Sequence, residues 1–173
     1  MSSILIVCTA NQCRSPVAEA LLRRQLTEHE NNTPWTVESA GTWAIGARPA
    51  HAQMGKVAEE AGLDLSRHRA RNVEDLALNS YALILTMEQS HKEALQVEFP
   101  QVADRVYQLT EMVGMSYDIA DPIGGGAEDF RRTLQELKRL ITFGLPRIVT
   151  LASTQPPSTK ANSTKPSTVP SLS

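Results

Sequence analysis

The sequence predicts an α/β domain, a four-stranded parallel sheet with helices on both faces, and two observations carry that expectation. Four short apolar runs rich in β-favouring residues alternate with four stretches of helical periodicity, the pattern of a parallel sheet flanked by helices. The chain has 173 residues, 41% of them hydrophobic, enough for one domain with a sizeable core.

The elements follow in order. The predicted strands are residues 4–9, 36–40, 82–87 and 105–109. Between them, residues 15–29 read as a helix: Ser15 suits the N-cap, Pro16 suits the first position because its missing N–H has no partner there, and Ala18, Leu21, Leu22 and Leu26 share one face. Residues 51–61 form the next, stopped by Gly62, and residues 89–98 the third. In residues 127–143 an apolar stripe of Phe130, Leu134, Leu137 and Ile141 predicts a last helix that ends at Gly144. Residues 1–150 are thus expected to form the domain. From 151 to 173, Ser, Thr and Pro fill 14 of 23 positions with no aromatic residue, so burial cannot offset ordering entropy and a disordered tail is expected.

Charge and cysteine usage narrow the function. The formal charge is −2 and the tail holds two lysines and no acid, so the body is mildly acidic, which argues against nucleic acid as a partner. No basic leader precedes the first apolar run and no stretch reaches the roughly 18 apolar residues of a membrane span. The expectation is a cytoplasmic protein whose two cysteines stay reduced.

Both cysteines fall in IVCTANQCRSPVAEALL, residues 6–22. Cys8 to Arg14 is predicted to be a strand-to-helix loop at the carboxyl end of the first strand, where open α/β sheets bind ligands. Free backbone N–H groups and the positive end of a helix dipole make such a loop an anion site. Arg14, planar and always charged, suits two oxygens of a tetrahedral dianion while the amides of Thr9, Ala10, Asn11, Gln12 and Cys13 take the others. Cys8 is placed to attack phosphorus, giving a phosphocysteine and needing neither metal nor cofactor. A leaving oxygen must then be protonated, so a carboxylic acid is expected near the same pocket. In YDIADPIGGGAEDF, residues 117–130, Asp121 before Pro122 and three glycines is a stiff carboxylate beside a flexible loop, with Asp118 as the fallback.

The string V-C-T-A-N-Q-C-R-S-P resembles the signature of the low-molecular-weight protein tyrosine phosphatases. VESAGTWAIGARP, GLDLSRHRAR and LILTMEQSH resemble further segments of that family, and the likeness spans roughly residues 3–145. The resemblance implies that Asp121 is the general acid and then the base. It also implies that Asn11, Ser15, Ser39 and His68 form a hydrogen-bond network holding the loop, with Ser15 assisting Cys8. Phosphorylated protein is the implied substrate. Trp43 and Ile123 would wall the pocket. Three positions depart from the family: Ala10 stands where many members have glycine, Ile123 where tyrosine-directed members carry an aromatic, and Gln12 matches neither the tyrosine-directed pattern nor the threonine of the related protein arginine phosphatases. A protein arginine phosphatase or small-molecule phosphatase is therefore the alternative enzyme. A docking module that binds phosphate without turnover is the alternative outside enzymes. The same fold, with a similar loop, also resembles the thioredoxin-coupled arsenate reductases, but their cycle needs cysteines downstream that this chain lacks, which argues against arsenate reduction by that route. Cys13, five residues from Cys8, is expected to be either a small buried side chain or a protective oxidation partner of Cys8.

Overall fold

In this computed structural model, which describes residues 2–29 and 34–154, four strands form one sheet in the order β2-β1-β3-β4, and every pairing is parallel. They are β1 (Ser2–Cys8), β2 (Trp35–Gly41), β3 (Leu83–Thr86) and β4 (Val106–Gln108). β1 lies inside the sheet, and Ile4, Leu5, Ile6 and Val7 are each fully buried. A strand's period of two sends Ile4 and Ile6 to one face with Leu83 and Leu85, and Leu5 and Val7 to the other with Ile84 and Val106. Each such side chain contributes about 1.5–3 kcal/mol of burial.

Helices α1 (Arg14–His29) and α4 (Ala127–Thr154) cover the first face, and α2 (Ala52–Glu60) packs on α4. Helix α3 (Gln89–Glu98) covers the second, where Leu95 joins Leu5, Ile84 and Val102. As expected, helices lie on both faces. No helix among the described residues is long and apolar enough to cross a membrane.

Three local expectations are corrected. Helix α4 does not stop at Gly144 but runs through it and Pro146 to Thr154. Gly144 serves close approach instead: a Cβ there would lie 2.7 Å from the Met112 Cβ. The same extension makes the first four residues assigned to the tail helical, and residues 155–173 lie outside those described. Finally, α1 begins at Arg14, so Ser15 is inside the first turn, and its hydroxyl turns to Cys8 rather than capping the helix. Gly62 does end α2, in the left-handed conformation with φ +73°.

Candidate active site

The carboxyl ends of β1, β2 and β3 meet at the loop between β1 and α1. Its carbonyls point outward into bonds: Cys8 accepts from Thr42 N (2.9 Å), Thr9 from Trp43 N (2.9 Å) and Gln12 from His51 N (2.8 Å), while Asn11 accepts from His68 Nε2 (2.6 Å). Among the described residues no backbone acceptor takes the amides of residues 9–13. A ring of free N–H groups ahead of a helix N-terminus is an anion cradle.

Asn11 is the residue that shapes the turn. It is buried with φ 55°, a left-handed conformation that asparagine tolerates better than most residues, whereas Ala10, which stands where many members have glycine, does not have a positive φ. Its side-chain amide donates to Ser15 Oγ (2.8 Å) and Ser39 Oγ (3.0 Å), and its Oδ1 accepts from Arg71 N (3.0 Å). Ser39 in turn donates to Glu19 Oε2 (2.6 Å). The predicted network of Asn11, Ser15, Ser39 and His68 is thus a connected set in the structure, with Glu19 and Arg71 as further members. Ser15 Oγ lies 2.9 Å from Cys8 Sγ.

Arg14 is 1% exposed, yet held by three oxygens: Nη1 donates to Glu88 Oε1 (2.5 Å) and Ile119 O (2.6 Å), and Nη2 lies 3.5 Å from Asp121 Oδ2. Asp121 is exposed at the pocket mouth and its Oδ1 accepts from Ile123 N (3.1 Å), a turn that aims the other oxygen at Arg14. Asp118 is elsewhere engaged: it accepts from Gln89 N (2.7 Å) and Gln108 Nε2 (3.1 Å), capping α3 from a distant loop. Asp129 accepts from Gly126 N at the start of α4.

Gln12 Nε2 reaches Pro49 O (3.1 Å), so this side chain braces the neighbouring loop. Trp43 on that loop is 72% exposed and is no core residue; Ile123 is 48% exposed on the opposite loop. Cys8 and Cys13 are both buried and unpaired. Burial above all, with Asp121 and Cys8 close by, pushes the Cys13 thiol up to about 12, against the pull of Arg14. Burial likewise lowers His68 and His91 below the ordinary histidine value. His91 Nε2 shares a 2.8 Å hydrogen bond with Thr9 Oγ1.

Glu88, Glu19, His91 and Gly41 escape sequence reasoning. For Glu88 the signal was its place just past the third strand, at the sheet edge where ligands bind. Gly41 is needed because a Cβ there would sit 2.3 Å from Thr9 O.

Comparison with known proteins agrees with this geometry. A family model described as low molecular weight phosphotyrosine protein phosphatase matches residues 3–147. The probable low molecular weight protein-tyrosine-phosphatase EpsP of Ralstonia nicotianae is 34% identical over 148 residues, covering 86% of this chain and 97% of the relative. A protein-arginine-phosphatase of Geobacillus stearothermophilus is 36% identical over 140 residues, covering 80% and 90%. Among solved structures, the low molecular weight protein tyrosine phosphatase from T. tengcongensis superposes with a TM-score of 0.78 at 34% identity, covering 85% of this chain and 99% of its own.

Proposed function

The chain belongs to the low molecular weight phosphotyrosine protein phosphatase family, cysteine-dependent and metal-independent phosphatases, and on that premise we propose that Cys8, Arg14 and Asp121 carry out phosphomonoester hydrolysis here. The observation behind this reading is that Arg14 and Asp121, 107 positions apart in sequence, meet beside the loop that begins at Cys8.

The phosphate of the substrate occupies the cradle of loop amides, with two oxygens on the Arg14 guanidinium. Cys8 Sγ attacks phosphorus in line with the leaving oxygen, the P–O bond breaks, and Asp121 delivers its proton to that oxygen. Asp121, now a carboxylate, takes a proton from water as the water attacks phosphorus. The S–P bond breaks, inorganic phosphate departs and Cys8 is regenerated. Ser15 Oγ, at 2.9 Å, orients the sulfur through both halves. Glu88 and Ile119 O fix Arg14 before substrate arrives, so little reorganisation is left for the reaction.

Phosphotyrosine in a protein is the proposed substrate. Phosphoarginine is the second reading, favoured by Ile123 in place of an aromatic clamp and by the arginine phosphatase among the relatives. We assign Cys13 a redox role: peroxide oxidises Cys8 to the sulfenic acid, releasing water, and the Cys13 thiol condenses with it to a disulfide, releasing a second water. Thiol reductant restores activity. Two unpaired cysteines fit a reducing, cytoplasmic setting.

The test is phosphate release from phosphotyrosine, phosphoarginine and phosphoserine peptides in EDTA, for the parent, Cys8→Ser and Asp121→Ala. Turnover that vanishes in Cys8→Ser supports the reading, and the preferred peptide names the substrate. Phosphate binding without turnover by the parent overturns it in favour of a docking module.

A further inference from the structure

The loops at residues 43–50 and 66–72 are bonded to one another and to the phosphate loop. Ala70 N donates to Arg48 O (2.8 Å), and Ala44 exchanges two bonds with the Asn72 side chain (2.7 and 2.8 Å). Trp43 N, Gln12 Nε2 and His68 Nε2 tie the pair to residues 9, 12 and 11. Three exposed arginines stand on this wall: Arg48 directly precedes Pro49, the acceptor of Gln12, while Arg67 and Arg69 bracket His68. None of the three is ion-paired among the described residues, whereas neighbouring Arg71 is bound to Glu38 at 3.0 Å. Arg69 spends one nitrogen on its own loop, donating to Ser66 O and His68 O. Trp43 and Ile45 stand exposed beside them.

The opposite wall has the reverse sign. Glu88, Asp118, Asp121 and Asp129 lie along the β3 and β4 side; the buried Arg14 pairs with Glu88 and Asp121, and the exposed Arg132 with Asp129 (3.4 Å), so four carboxylates face two guanidiniums there. The pocket mouth is therefore polarised, basic toward β2 and acidic toward β4.

We propose that Arg48, Arg67 and Arg69 select phosphorylated protein segments that carry Asp or Glu on one side of the phosphoresidue. The proposal deepens the phosphatase reading and rests on it. A guanidinium takes a carboxylate with two parallel hydrogen bonds, and an acidic flank would be drawn to this wall and repelled by the other. The polarity fixes the direction in which the segment crosses the pocket.

The experiment compares kcat/KM for phosphopeptides whose flanks on either side are Glu, Gln or Lys, with p-nitrophenyl phosphate, which has no flanks, as the internal reference. At low salt the parent should prefer Glu on one side over Gln by about five- to tenfold, and this should shrink at high salt, as exposed ion pairs do. In Arg48→Gln/Arg67→Gln the preference, taken relative to the reference substrate, should fall toward unity; in Arg48→Glu/Arg67→Glu/Arg69→Glu it should invert toward Lys. Equal turnover of Glu and Gln peptides by the parent, or a preference that survives in both variants, overturns the proposal. Failure to hydrolyse any phosphoester, the reference included, overturns the phosphatase reading and this one with it.

Discussion

Substituting Gly41 by alanine tests how tightly the phosphate loop is held. The added Cβ would stand 2.3 Å from Thr9 O and 3.1 Å from Asn11 N. An ordinary carbon–oxygen contact is about 3.3–3.6 Å, so one backbone segment must retreat by roughly 1 Å. Gly41 cannot retreat freely: it pairs with Cys8 in the sheet, its N–H is bound to Arg71 O at 2.9 Å, and Thr42 N and Trp43 N are bound to Cys8 O and Thr9 O. The loop must therefore move, and a displacement of about 1 Å at reacting groups costs about 10²-fold in rate. Overpacking should lower stability by about 1–3 kcal/mol as well. Gly55→Ala is the control, because nothing lies within 4 Å of its Cβ and it sits inside α2; there stability should rise by about 0.5–1 kcal/mol with activity intact. Both variants are assayed by kcat/KM and by urea unfolding. Parent-like kcat/KM in Gly41→Ala would refute the claim that loop position limits catalysis.

Other predictions follow from the same geometry. Asp121→Ala should slow substrates with poor leaving groups by about 10²–10⁴-fold and spare p-nitrophenyl phosphate more, while Asp118→Ala should cost about 1 kcal/mol of stability with no leaving-group dependence; equal leaving-group profiles would mean the acid is misassigned. With Cys13 pushed up to about 12, its alkylation by iodoacetamide in the Cys8→Ser variant should be slow at neutral pH and quicken as pH rises; rapid neutral labelling would contradict the burial of that thiol. Burial lowers His68 below its ordinary value of 6.5, so the unfolded chain takes up the proton first as pH falls. Its contribution is complete above about pH 6.5 and is lost below, and His68→Gln should flatten that part of the unfolding profile against pH.

The loop and its chemistry were legible because they are local. Cys8, Asn11, Arg14 and Ser15 lie within eight residues of sequence, and a strand, a loop and a helix opening with Ser-Pro place them without help from the rest of the chain. Asp121 was legible through its neighbours, since Asp-Pro before three glycines is a turn with a mechanism. The Arg14–Glu88 pair was not, because 74 positions separate its members and only the parallel pairing of β1 with β3 brings them together. His91 and Glu19 were hidden for the same reason. Gly144 misled because a glycine is a stop signal only where the backbone turns left-handed. Here it stays helical, and its missing side chain lets α4 approach Met112. Ser15 misled because its hydroxyl serves sulfur rather than the helix end, which lies two residues before the first position given to Pro16.

Hydrolysis through a covalent intermediate requires that Cys8 become phosphorylated during turnover. Asp121→Ala, mixed with p-nitrophenyl phosphate, quenched by rapid denaturation and digested after Arg14, gives a peptide holding both cysteines for fragmentation by mass spectrometry. One phosphoryl group on Cys8, absent from Cys13 and absent altogether in Cys8→Ser, is the predicted result. Turnover with neither cysteine ever phosphorylated, or with the group on Cys13, would contradict the account.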